Sequence, residues 1–356
     1  MATRRLRATL AGLLAGLTIV SCSSSAGSTH VAATPHAPTW TRATGHPIES
    51  SPVLAGSTLY VGDSDHEVMA MNAATGRLRW TLRTGDYVVS SPAVWDGTVY
   101  VGSDDHKVYA LDAATGQVRW AHATGDQVSS SPAVAGGVVY IGGTDHFVYA
   151  LDAATGRVRW THATGGDVVS SPAVAGGVVY IGSDDHKVYA VDAATGRVRW
   201  TFATGGDVVA SPAVAGGTVF IGSDDSKVYA LDAATGQLRW DYATGNLIDS
   251  SPAVSGGTVF IGSDDDKVYA LDAATGQVRW AHATAAEVDS SPAVSGGTVY
   301  IGSNDDKVYA LDAATGRVRW THAVTDIIVS RPLVARGTVY VGSQDGVMYA
   351  LPEVSG

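Results

Sequence analysis

Cys22 is the only thiol in this chain of 356 residues, so no internal disulfide can form. Positive charge is also scarce. Lys and Arg number 23 against 34 Asp and Glu, a net charge of −11, which argues against a face for nucleic acid or anionic lipid. The apolar run Leu10–Val20 is too short to argue for a stable membrane span. No window carries a sustained helical stripe, and the recurrent Ala-Ala-Thr-Gly segments are short and end in glycine. Insertions are missing too: the repeat described next never departs from its period.

What the chain has is a unit of 40 residues, clearest at Ser131–Trp160, SPAVAGGVVYIGGTDHFVYALDAATGRVRW. Trp40, Trp80, Trp120, Trp160, Trp200, Trp240, Trp280 and Trp320 form one column, and Pro52 to Pro332 form a second at the same spacing. Each unit holds four segments of strand composition, here 128–134, 138–142, 147–151 and 157–161, parted by Gly- and Asp-rich turns. Four short antiparallel strands per unit predict an all-β, eight-bladed β-propeller. Proline cannot donate to a ladder, which puts the Ser-Pro segment on the innermost strand, at the central channel. Side-chain bulk then grows outward through Tyr140 and Tyr149 to Trp160. The first three strands occur eight times, but the fourth follows Ala-Ala-Thr-Gly only seven times. Residues 38–41, in register with the tryptophan column, supply the missing strand, so the N-terminal strand completes the last blade and closes the ring.

The ends read differently. Arg4, Arg5 and Arg7 followed by Leu10–Val20 form a signal peptide, 1–21. Ile19-Val20-Ser21-Cys22 resembles a bacterial lipobox, with Cys22 as the lipidated mature N-terminus. Residues 22–37 are a small, polar, flexible tether, 38–352 the propeller, and 353–356 a short tail.

GSDDHKVYALDAATGQVRW at 102–120, with its copies, resembles the repeat of the PQQ-like (quinoprotein-type) β-propeller family. That resemblance covers nearly all of the mature chain and implies that the tryptophans dock adjacent blades. It also offers three activities: quinoprotein alcohol dehydrogenases holding pyrroloquinoline quinone and calcium, BamB-like lipoprotein scaffolds, and sensor domains. The dehydrogenases carry large insertions and an adjacent-cysteine disulfide beside the cofactor, and this chain has neither. The BamB-like style therefore leads. It implies a non-catalytic, exported lipoprotein of a bacterial envelope, anchored to a membrane through its N-terminal lipid. Such a scaffold would hold a protein partner or envelope component, bind no nucleic acid, act as a monomer and need no cofactor. The alternatives are a PQQ-dependent oxidoreductase with calcium, or a ligand-sensing propeller.

Complete columns read as structural. Asp65 and its seven equivalents to Asp345 cap turns, with calcium as the sharper reading. His66, His106, His146 and His186 face solvent, because a zinc ion needs its ligands within one sphere. Positions where the repeats disagree are more informative. Glu49, Asp249, Asp289 and, two positions on in its own unit, Arg331 fall on blades one, six, seven and eight, which are contiguous around the ring. Positions two apart on the innermost strand share one face, so these side chains face the channel, with the Arg331 guanidinium within salt-bridge reach of Glu49 or Asp289. The sector would then take a small cationic or polar ligand, or a partner's side chain.

Overall fold

The computed structural model describes residues 37–353. The signal peptide, Cys22, residues 23–36 of the tether and 354–356 of the tail lie outside the described residues. The described chain forms eight four-stranded antiparallel sheets, the blades of a propeller. In blade three the strands run Ala133–Ala135, Val138–Gly142, Phe147–Asp152 and Val158–Ala163, from the axis outward. The last blade takes its outer strand from the other end of the chain: Trp40–Ala43 pairs antiparallel with Val347–Pro352, Trp40 opposite Ala350. The N-terminal closure expected from the strand count is therefore present.

The two middle strands of each blade are buried along most of their length, since a neighbouring blade covers each face. That is why they read as continuous Val, Ile, Tyr and Ala runs. The apolar core is a set of layers between blades. One joins Tyr140, Val148 and Ala150 of blade three to Val179, Ile181 and Tyr189 of blade four. Another joins Met348 and Ala350 of the last blade to Leu59, Val61 and Met71 of the first, with Trp40 packed against it.

The tryptophan column docks blades by hydrogen bond as well as by packing. Trp120 Nε1 donates to the carbonyl of Ala153 in the next blade at 2.9 Å, and the Tyr100 hydroxyl donates to the same oxygen at 3.0 Å. Gly156 lies under the Trp120 ring with φ +69°, and an added Cβ would sit 2.7 Å from ring carbons. Glycine is required there twice over, by conformation and by space.

The innermost strand differs from expectation. Only Ala133–Ala135 joins the ladder, and the segment before it, including Pro132, does not. The Ser-Pro segments bond sideways instead. Ser51, Ser91, Ser131, Ser171, Ser211 and Ser251 each donate their N–H to the hydroxyl of the equivalent serine one blade on, at 2.8–3.0 Å. These bonds form a belt around the axis. The outer strand also runs later than expected, over Val158–Ala163, after a bulge between Ala150 and Leu151.

Candidate functional site

The axial channel and its rim are where the blades differ, and the structure divides the four expected residues between them. A cavity of about 360 Å³ on the axis is lined by Ser51, Pro52, Ser91, Pro92, Ala293 and Val294, and by Arg331 to Val334. Arg331 stands where the other blades carry the belt serine. Its N–H still donates to Ser51 Oγ at 3.0 Å, but the N–H of Ser291 meets no hydroxyl there, so the belt is broken at one joint. Among the described residues, no carboxylate lies within 4.0 Å of the Arg331 guanidinium, and none of the cavity-lining residues is acidic. The expected pairing with Glu49 or Asp289 is not formed. Positions 329 and 331 precede the strand Leu333–Ala335, so the two-residue face rule does not apply to them.

Asp249 and Asp289 go to the rim. Each follows a crossover between blades and meets the turn joining the second and third strands. The geometry is visible in blades two and three, where the Ser129 hydroxyl donates to Asp104 Oδ1 at 3.0 Å. In blades six and seven the same geometry gathers acids. Asp264 lies among Asp289, Asp249 and Glu287. Burial, then repulsion from those carboxylates, raises the pKa of Asp264 to about 8. Asn304 relieves the next position by donating Nδ2 to Asp289 Oδ2 at 2.9 Å. Asp264 Oδ1 and Asp289 Oδ1 are shielded from water and accept no hydrogen bond. Glu49 occupies the equivalent crossover before blade one, away from this cluster in sequence and half-buried.

Two of these features escaped sequence reasoning. Asp264 resembles Asp104, Asp184 and Asp224 in its own column, but only Asp264 has a carboxylate at both adjoining crossover positions. Asp63 stands where the other blades have serine or glycine. It is 1% exposed, accepts the N–H groups of Asp65 and Glu67 at 3.0 Å each, and is pushed up to about 6 by burial.

The complete columns are used in blade-to-blade bonding. Asp105 Oδ2 accepts the Tyr109 hydroxyl at 2.5 Å, Lys107 Nζ at 3.2 Å and the N–H of Gly85 in the preceding crossover at 2.9 Å. Asp145, Asp185, Asp225 and Asp265 repeat the tyrosine and glycine bonds. His66, His106, His146 and His186 hold the left-handed turn position, φ +66° to +70°, and reach crossover aspartates at 3.1–4.0 Å. Among the described residues, no group of three His, Cys, Asp or Glu side chains is arranged to hold a metal ion.

A family model described as outer membrane protein assembly factor BamB matches residues 23–167, 105–246, 184–288, 244–326 and 268–356. None of the curated proteins compared matches the chain. Solved structures do. A computationally designed protein, Ika8, superposes with a TM-score of 0.79 at 19% identity, over 87% of this chain and 97% of its own. BamB from Moraxella catarrhalis gives 0.77 at 19% identity, over 89% and 99%. Quinohemoprotein alcohol dehydrogenase from Comamonas testosteroni gives 0.76 at 17% identity, over 89% and 76%. At these identities the likeness concerns the fold.

Proposed function

The chain belongs to the family of the outer membrane protein assembly factor BamB, and from that premise we propose that it is an exported, lipid-anchored scaffold of the cell envelope. It holds a protein partner or another envelope component as a monomer and catalyses no reaction of its own. The observation that carries this reading is the uniformity of the ring. The turns are short, and their repeated polar side chains are taken up in joining one blade to the next. What remains variable is the rim, with Glu49, Asp249, Asp264 and Asp289, and the channel with Arg331. These are the surfaces on which a partner can be told from a stranger. Cys22 supplies the anchor and the following residues the reach.

The channel residues are a poor fit to the dehydrogenase cofactors. Pyrroloquinoline quinone is a flat tricarboxylate, and calcium takes six to eight oxygen ligands. The lining offers one cation, no aromatic ring to stack on and no carboxylate.

The test uses the full-length chain in a bacterial host. Cys22→Ala should release the protein from membranes or block its processing, while wild type co-purifies a defined envelope partner. Fractionation identical to wild type would remove the anchor. Turnover of an alcohol in a dye-linked assay, after adding the quinone and calcium, would replace the scaffold reading with the oxidoreductase one.

A further inference from the structure

Arg331 is a cation in an otherwise uncharged channel. Its side chain is open to the channel water, yet protein surrounds it enough to disfavour its charge and lower its pKa. A guanidinium remains protonated in proteins regardless, and it presents paired donors that match a carboxylate. Beside it, the belt of serine bonds is interrupted, leaving the Ser291 N–H without the hydroxyl its equivalents have. The Arg331 guanidinium, which lines the cavity, has no carboxylate partner within 4.0 Å among the described residues. Around it the wall is apolar: Pro52, Pro92, Pro332, Val53, Val294 and Leu333. A cavity of about 360 Å³ is within the range that small ligands occupy.

We propose that the axial channel binds the carboxylate of a small amphipathic acid, with Arg331 as the charged contact. The apolar body of the acid lies along the proline, valine and leucine wall. This is opposite in sign to the cationic ligand that the sequence pattern pointed to. The reason is geometric: Asp249 and Asp289 lie at the rim with Asp264 and Asn304, and Glu49 makes no ion pair with Arg331. That acidic rim repels an anion approaching from its side. The ligand enters from the other end of the innermost strands, where the turn after Leu333–Ala335 carries Arg336. A bidentate guanidinium–carboxylate pair in a partly desolvated channel is stronger than the same pair on the open surface.

The test compares hexanoate with hexanamide by calorimetric titration and thermal shift, on the full-length protein and on Arg331→Ser. That variant supplies the eighth belt serine, so it should fold and melt at the wild-type temperature or above. We expect hexanoate to bind wild type, hexanamide to bind roughly tenfold or more weakly, and Arg331→Ser to lose the preference for the acid. Circular dichroism on the variant separates loss of the site from loss of the fold. A short apolar peptide, with a free and with an amidated C-terminus, tells a polypeptide terminus from a free acid as the source of the carboxylate. Preference for the free terminus supports the same site. Equal binding of acid and amide, acid preference kept by Arg331→Ser, or no binding of either carboxylate overturns the proposal.

Discussion

The hydroxyl of Tyr340 donates to the carbonyl of Ala73 at 3.1 Å, across 267 positions of sequence. Trp40 Nε1 donates to the same oxygen at 3.0 Å. The final joint of the ring is therefore built like the joint between blades two and three, where Tyr100 and Trp120 share Ala153. Trp40→Ala should destabilise the protein by about 2–4 kcal/mol, through lost packing and one lost hydrogen bond. Trp120→Ala should cost about the same. Urea unfolding of both variants checks this. A Trp40→Ala midpoint close to wild type would mean that the N-terminal strand does not close the ring.

Glycine substitutions separate two causes that sequence alone merges. Gly136 has φ +57° with open space where a Cβ would go. Gly156 has φ +69° and the Trp120 ring in that space. Gly136→Ala should cost only the left-handed backbone term, about 1 kcal/mol. Gly156→Ala should cost that plus the displacement of the ring, about 2–4 kcal/mol in all. Asp96 and Arg336 already occupy the Gly136-type position in blades two and eight, at φ +46° and +54°. Equal thermal shifts for the two variants would show that the docking tryptophan yields freely.

Most of the fold was legible because each column repeats eight times, so one physical cause is read eight times over. The closure followed from counting strands. The site was less legible, and the reason lies at Arg331. Its expected partners were placed by a rule for strands, while the Ser-Pro segment spends its N–H groups on the serines of the next blade. Asp264 was hidden because its environment comes from two crossovers, 15 positions before it and 25 after it. Reading that column together with the crossover column of both adjoining blades would have exposed it.

The outer-strand histidines should make the protein sensitive to mild acid. His122, His162 and His282 pack edge-on against Tyr149, Tyr189 and Tyr309, and burial lowers their pKa below 6.5. Their folded forms favour the neutral ring. The associated stability is present above the unfolded value and is lost as pH falls through the lower folded value. Phe202 of blade four packs against Tyr229 of blade five in the same arrangement, so phenylalanine fits. Replacing all three histidines by phenylalanine should shrink the loss of stability between pH 7 and pH 5. The difference should be on the order of 1 kcal/mol for the three together, allowing for their contact with water. Thermal melts at both pH values test it, and an unchanged loss would assign the acid sensitivity to other groups.

Asp264 works in the opposite direction. Its folded pKa is raised from 3.8 to about 8 by burial and by Asp289, Asp249 and Glu287. The folded protein therefore holds a proton there that the unfolded chain gives up. Stability from this group is fully present below the unfolded value and is lost as pH rises through the folded one. Wild type should weaken relative to Asp264→Asn across that whole interval. Asparagine also has a donor to offer, as Asn304 shows by bonding Asp289 at 2.9 Å in the next blade. The variant should match wild type near pH 4 and be the more stable by pH 9, by on the order of 1–2 kcal/mol. Asp289→Asn should give part of the same gain, because it removes the strongest of the carboxylate repulsions on Asp264. The measurement is denaturant unfolding at pH 4, 6, 8 and 9. A difference that stays constant with pH would show that Asp264 is ionised in the folded protein throughout, and a variant less stable at pH 9 would show that its charge is wanted where it stands.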